Sequence, residues 1–172
     1  VGKRFFRDEF GVDNKIMWLP DVFGYSAAIP QLIKKSGMDY FMTTKISWNE
    51  YNKFPYDTFK WRGIDGTEVL SHFPPSCHAT VDERKDWQTT YNSKLRPLYV
   101  IGGYKRYSQK NLGKDFLMSY GFGDGGGGPT IEMLEYGRRM SKGIQGCPVV
   151  KQSSSLDFFR DLDEKVSGNK RL

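Results

Sequence analysis

Asp21 and Asp124 are the residues whose surroundings could support chemistry. Asp21 follows a short apolar run, residues 16–19, which Pro20 stops because proline has no N–H to give a strand ladder. Phe23 and Tyr25 flank the acid at alternate positions, and Gly24 allows a sharp turn into a helical segment. Asp124 lies in a glycine-rich stretch, residues 121–128, ahead of Pro129, Thr130 and another helical segment. In sheets with crossover helices, ligands bind at the carboxyl ends of strands. An acid beside an aromatic there suits a sugar, whose ring stacks on a π face while the carboxylate handles hydroxyls or the anomeric carbon. Two such acids facing one pocket are the minimum set for glycoside cleavage: one attacks while ionised, the other donates a proton to the leaving oxygen. Plainer readings exist for both. An Asp before a helix is often an N-cap or turn residue, and a glycine run is often only a flexible loop. A glycine-rich turn before a helix also describes a phosphate or nucleotide site, although no Gly-Lys-Ser or Gly-Lys-Thr closes this one.

Bringing the acids together requires particular elements. Residues 16–19 predict a buried strand. The helix over residues 27–35 puts Ala28, Leu32 and Ile33 on one face, with Lys34 and Lys35 in the last turn and Gly37 as its stop. Residues 40–43 predict the next strand, making a strand-helix-strand crossover unit. Thr44, Lys45, Trp48 and Asn49 follow at the same end, where Lys45 can steady a nearby carboxylate or touch a hydroxyl. Residues 59–62 and 69–73 predict an antiparallel hairpin. Residues 116–120 and 149–151 predict two more strands, and residues 130–142 and 155–166 two helices, the first burying Ile131, Leu134 and Met140. Arg4, Phe5, Phe6 and Phe10 predict one side of an approach helix, and residues 80–100 a loop with some helix. His72 and His78 share no helix face with an acid at metal-binding spacing and read as structural.

Composition narrows the classes. A chain of 172 residues accommodates one domain with a real core. Aromatics are 15% of it, compatible with carbohydrate contact as well as with an aromatic core. The net charge of +6 raises nucleic acid as a partner, but the basic residues are scattered among 20 acids without a like-charged block, so none is expected. Cys77 and Cys147 make no CxxC pattern, so neither a zinc knuckle nor a disulfide framework is implied and a reducing compartment is the default. No apolar run approaches a membrane span, and no membrane partner is expected.

Several longer motifs occur in order: residues 18–26 (WLPDVFGYS), residues 39–51 (DYFMTTKISWNEY), Phe54-Pro55-Tyr56, residues 59–66 (FKWRGIDG) and residues 123–130 (GDGGGGPT). Together they resemble the catalytic domain of glycoside hydrolase family 38 α-mannosidases, in the bacterial and cytosolic branch. The resemblance implies an α/β fold: part of a barrel-like, seven-stranded β/α catalytic domain with mostly parallel strands, of which residues 1–172 would form about half. It implies retaining hydrolysis of α-mannosides in a mannose-containing oligosaccharide or glycan, assisted by zinc. Asp21 would be nucleophile and metal ligand, Phe23 would lie against the sugar with Trp48 nearby, and Asp124 would be the general acid. Lys45 falls where the family carries an arginine, keeping the charge but losing the planar fork. The family's His-x-Asp motif and its later histidine ligand are absent here. The chain is therefore expected to be an inactive internal piece of a larger, cytoplasmic mannosidase, for which homo-oligomerisation is compatible; the alternative is a non-catalytic carbohydrate-binding piece, in which aromatics stack on sugar but no bond is cut.

Overall fold

The computed structural model describes residues 1–47, 49, 51–52, 54–76, 91–123 and 127–169. Helix α1 (Gly2–Phe10) precedes strand β1 (Ile16–Trp18), helix α2 (Ile29–Lys35), strand β2 (Tyr40–Met42) and a 3-10 turn (Lys45–Ser47). Strands β3 (Thr58–Arg62) and β4 (Glu68–His72) follow, then helices α3 (Pro97–Arg106), α4 (Ile131–Met140) and α5 (Ser155–Val166). The described strands form a four-stranded sheet in the order β1-β2-β4-β3. β1 runs parallel to β2 and β2 to β4, while β3 is antiparallel to β4. The fold is thus mixed α/β with a mostly parallel sheet, and the expected crossover unit and hairpin are both present.

Alternation along the strands gives the sheet two buried faces. Tyr40, Met42 and Leu70 point to one face and pack on Phe159, Leu162 and Val166 of α5. The Tyr40 ring stacks on Phe159 at 4.9 Å between centroids. Phe41 and Val69 point the other way, onto Ile33 of α2. Each large side chain buried this way contributes roughly 1.5–3 kcal/mol, so the two helices hold the crossover strands at fixed height. A third cluster, Leu95, Val100, Met133 and Met140, joins α3 to α4.

Local chemistry fixes the element ends. Pro30 occupies the first turn of α2, where its missing N–H costs nothing. Gly66, at φ +83°, makes the hairpin turn, and the Thr67 N–H donates to Asp65 Oδ1 at 3.0 Å. α5 starts at Ser154, whose Oγ accepts from the Asp157 N–H at 3.1 Å. Ser154→Ala is expected to cost about 1 kcal/mol, read as a lower urea midpoint at unchanged m-value. No loss would mean that the hydroxyl does not cap the helix.

Several expectations are corrected. Residues 116–120 are not a strand; their described pairing is a single parallel bridge between Ser93 and Tyr120. The N–H of Leu117 goes to the Nε2 of His72 rather than to a ladder. Residues 149–151 are not a strand either. On α4, Ile131 is 88% and Leu134 44% exposed, and the buried stripe is Met133, Gly137 and Met140. Gly137 is there because a Cβ would lie 3.0 Å from both Leu95 Cδ2 and Gln152 Nε2. On α2, Leu32 is exposed and Pro30 takes its place beside Ile33. The α1 helix forms, yet none of its residues is buried, and Phe5, Phe6 and Phe10 pack on one another at the surface. No helix among the described residues is long and apolar enough to cross a membrane.

Candidate functional site

Because β1 and β2 are parallel neighbours, their carboxyl ends emerge side by side. Asp21 follows the first and Lys45 the second. The Lys45 ammonium reaches Asp21 Oδ1 at 2.8 Å. The two partners differ in burial: the Lys45 side chain is 6% exposed and that of Asp21 51%. A cation taken so far from water needs compensation, and aromatic faces supply part of it. Its Nζ lies 4.8 Å from the ring centroid of Phe23 and 5.3 Å from that of Tyr91. Phe23 is itself 72% exposed beside the carboxylate.

The other oxygen of Asp21 accepts a hydrogen bond from the Tyr91 hydroxyl at 3.1 Å. Lys45 first, and the Tyr91 hydroxyl after it, hold the Asp21 carboxyl below the usual carboxylate range. Asp21 is therefore ionised at neutral pH and fixed in orientation through both oxygens. A carboxylate offers about four lone-pair sites, so capacity is left for an approaching electrophile.

Tyr91 has a second importance through its neighbour. Asn92 donates from Nδ2 to the carbonyl of Gly123 at 2.8 Å. Ser93 continues the contact, accepting from Gly121 N–H at 3.2 Å and donating to Ser119 O at 3.1 Å. Residues 91–93 thus join the Asp21 carboxylate to the stem of the glycine-rich loop. That loop closes on itself: Phe122 N–H donates to Gly128 O and Gly127 N–H to Phe122 O, each at 3.0 Å. A Cβ on Gly127 would meet Phe122 O at 2.6 Å and one on Gly121 would meet Gly127 O at 2.9 Å, so the glycines permit the fold-back. These two N–H groups are spent inside the loop instead of facing a phosphate.

Of the expected site residues, Asp21, Phe23 and Lys45 come together, whereas Asp124 and Trp48 lie outside the described residues, as does His78. Tyr91 and Asn92 were not anticipated; the polar stretch around them has no periodicity, and their partners are 70 and 31 positions away. His72 is structural: it is fully buried, with Nδ1 2.9 Å from Thr58 Oγ1 and Nε2 accepting from Leu117 N–H at 3.2 Å. Among the described residues, no three His, Cys, Asp or Glu side chains cluster as a metal site would need. Asp21 offers one carboxylate where a zinc site needs at least three protein ligands, so the described residues do not by themselves fit the expected zinc.

Comparison with known proteins places this geometry in a family. Residues 1–171 match the Glycosyl hydrolases family 38 N-terminal domain. An "Alpha-mannosidase" of Saccharomyces cerevisiae is 47% identical over 93% of the chain and 14% of its own length. "Alpha-mannosidase G" of Dictyostelium discoideum is 41% identical over 94% of the chain and 14% of its own length. "Alpha-mannosidase 2C1" of Homo sapiens is 39% identical over the same two shares, 94% and 14%. The chain therefore spans about one-seventh of these curated relatives. A crystal structure of an alpha-mannosidase from Enterococcus faecalis shares the fold, with TM-score 0.65 at 13% identity, over 93% of this chain and 17% of that one. With a carboxylate, a buried cation and an exposed aromatic at adjacent strand ends, and a match over nearly its whole length, the chain belongs to glycoside hydrolase family 38.

Proposed function

We propose that these residues form part of the active site of an α-mannosidase that cleaves terminal α-mannosides from mannose-containing oligosaccharides with retention. The observation that carries this reading is the bridge through Tyr91 and Asn92, which ties ionised Asp21 to the loop stem one residue before Asp124. Asp21 acts as nucleophile: a carboxylate oxygen bonds to the anomeric carbon as the glycosidic C–O bond breaks. Asp124 donates its proton to the departing oxygen. In the second half, Asp124 takes a proton from water, the water oxygen bonds to the anomeric carbon, and Asp21 leaves as the free carboxylate. Retention requires the two carboxyls to sit about 5–5.5 Å apart. Lys45 keeps Asp21 charged, while Phe23 and Trp48 contact the sugar.

This activity belongs to the full-length protein, since the curated relatives are about seven times longer than the match; residues 1–172 alone are expected to be inactive. The sheet is read as part of a larger β/α barrel of mostly parallel strands. The expected zinc would take Asp21 as one ligand, with the others supplied from outside the described residues, and metal analysis of the full-length protein tests it. The protein is expected in the cytoplasm, and homo-oligomerisation is compatible with the reading. The nucleophile is tested by incubating the full-length protein with a slow, activated fluoro-α-mannoside and mapping the peptides. The label is expected on Asp21; a label on another carboxylate, with turnover intact, overturns the assignment.

A further inference from the structure

The hydrogen bonds at the ends of β1 and β2 depart from a regular parallel ladder by one residue. The register pairs Trp18 with Met42, so Leu19 faces Thr43. In such a ladder the N–H of Leu19 goes to the carbonyl of residue 42 and its carbonyl receives the N–H of residue 44. The first bond is present, Leu19 N–H to Met42 O at 3.0 Å. In place of the second, the carbonyl of Leu19 accepts from the phenol of Tyr25 at 2.9 Å. Thr44 turns instead to the next carbonyl along, that of Pro20, donating from Oγ1 at 2.7 Å and from N–H at 3.4 Å. The Tyr25 hydroxyl also bonds to Thr43 Oγ1, and Thr43 Oγ1 accepts from the N–H of Lys45 at 3.4 Å.

We propose that Tyr25 and Thr44 are positioning residues for the Asp21–Lys45 pair: they hold the end of the β1–β2 pairing one residue out of step and so aim the Asp21 carboxylate at Lys45. The proposal rests on reading Asp21 as the nucleophile, and it explains why side-chain hydroxyls occupy a place where backbone groups would ordinarily pair. Displaced pairing next to a site re-aims a side chain, as bulges do elsewhere in sheets. Pro20 makes the displacement possible, because it contributes a carbonyl and no competing N–H. Thr44 then grips the carbonyl of the peptide unit that leads directly into Asp21. Tyr25 satisfies the partly buried carbonyl that this grip leaves behind. Thr43 is fully buried, so its part of the network is shielded from water. A shift of Thr44 back to Leu19 would draw Lys45 along β2 and separate it from Asp21.

The test uses Tyr25→Phe, Thr44→Val and the conservative Thr44→Ser. The ring retained by the first would keep the edge-to-face packing of Tyr25 on Phe41, now at 5.1 Å, and on Trp61, at 6.5 Å. In the full-length protein, Tyr25→Phe and Thr44→Val are each expected to lower kcat on an aryl α-mannoside about ten- to a hundredfold, the scale of a misplacement near 1 Å. KM should stay within about twofold, because the sugar contacts are not removed. Thr44→Ser should restore most of kcat. In the 172-residue chain, the ¹H–¹⁵N signal of the Lys45 ammonium, shifted by the Phe23 and Tyr91 rings, should move in both deleting variants and return in Thr44→Ser. Unchanged kcat with an unmoved signal overturns the proposal, as does a loss in melting temperature with no change in kcat. Should Tyr25→Phe fail to fold, the Thr44 pair still decides. The Lys45 signal does not depend on turnover, so a failure of the nucleophile assignment would appear separately, as wild-type kcat in Asp21→Asn.

Discussion

Replacing Asp21 by Asn in the full-length protein is expected to lower kcat on an aryl α-mannoside by on the order of a thousandfold or more, equivalent to about 4 kcal/mol of barrier. The substitution is nearly isosteric. The amide oxygen still accepts from Lys45, and the amide N–H₂ can donate to the Tyr91 hydroxyl, so the geometry held by the 2.8 Å and 3.1 Å contacts is conserved. What disappears is the negative oxygen that bonds to the anomeric carbon. Asp21 is half exposed and its partners retain bonds, but the buried Lys45 ammonium loses its counter-charge, so the melting temperature should fall and kcat is compared at a temperature where both proteins remain folded. The loss should fall on kcat with KM little altered. A second variant separates a nucleophile from a mere counter-ion. Asp21→Ala leaves space beside the anomeric carbon, and added azide should restore single-step turnover of an activated α-mannoside with β-mannosyl azide as product. Near-normal turnover in Asp21→Asn, or azide products of α configuration, would exclude Asp21 from the bond-forming role.

What could be read from the chain beforehand divides along physical lines. The Asp21 passage was legible because its signals are local: an apolar run, a proline that ends it and a glycine that turns it all act within a few residues. The hairpin was legible for the same reason, through Gly66. α3 was not foreseen over its full span. Gly102 and Gly103 have poor helix propensity, yet both are buried within α3, where tertiary packing overrides that preference. On α4 the apolar residues Ile131 and Leu134 face solvent, whereas Gly137 is buried, and its value is its missing side chain. Residues 116–120 carry a strand-like composition, but the partner that takes the Leu117 N–H is an imidazole from β4. The site shows the same division. Asp21, Phe23 and Lys45 stand at predictable strand ends, whereas Tyr91 gains its role only from a long-range approach that periodicity does not encode.

The chain should lose stability steeply in mild acid because of His72. Its ring is fully buried on β4, and burial pushes its pKa down from 6.5 to about 3. The hydrogen bonds fix the neutral tautomer: Nε2 accepts from Leu117 N–H, so the proton sits on Nδ1 and is donated to Thr58 Oγ1. Thr58 Oγ1 in turn bonds to the Tyr107 hydroxyl at 2.9 Å, and the Thr58 N–H donates to Gln109 Oε1 at 2.9 Å. Protonating Nε2 would turn an acceptor into a donor facing another donor. The unfolded chain, by contrast, protonates this histidine near its ordinary pKa. Below 6.5 the unfolded state therefore binds the extra proton, and stability is lost as pH falls from 6.5 toward 3. At 1.36 kcal/mol per pH unit the loss is about 2 kcal/mol at pH 5 and about 3 kcal/mol at pH 4. Asp13 and Glu135, each lowered to about 2 by neighbouring cations, act in the same direction but only once pH falls below their ordinary values of 3.8 and 4.5. The slope between pH 6 and 5 consequently isolates the imidazole from these carboxylates. His72→Leu should flatten that slope while lowering stability at pH 7 by roughly 1–3 kcal/mol, since the Leu117 N–H loses its partner. Urea titrations of both proteins from pH 4 to 7 measure it. Equal slopes in the two would show that His72 is not the group that couples protons to folding.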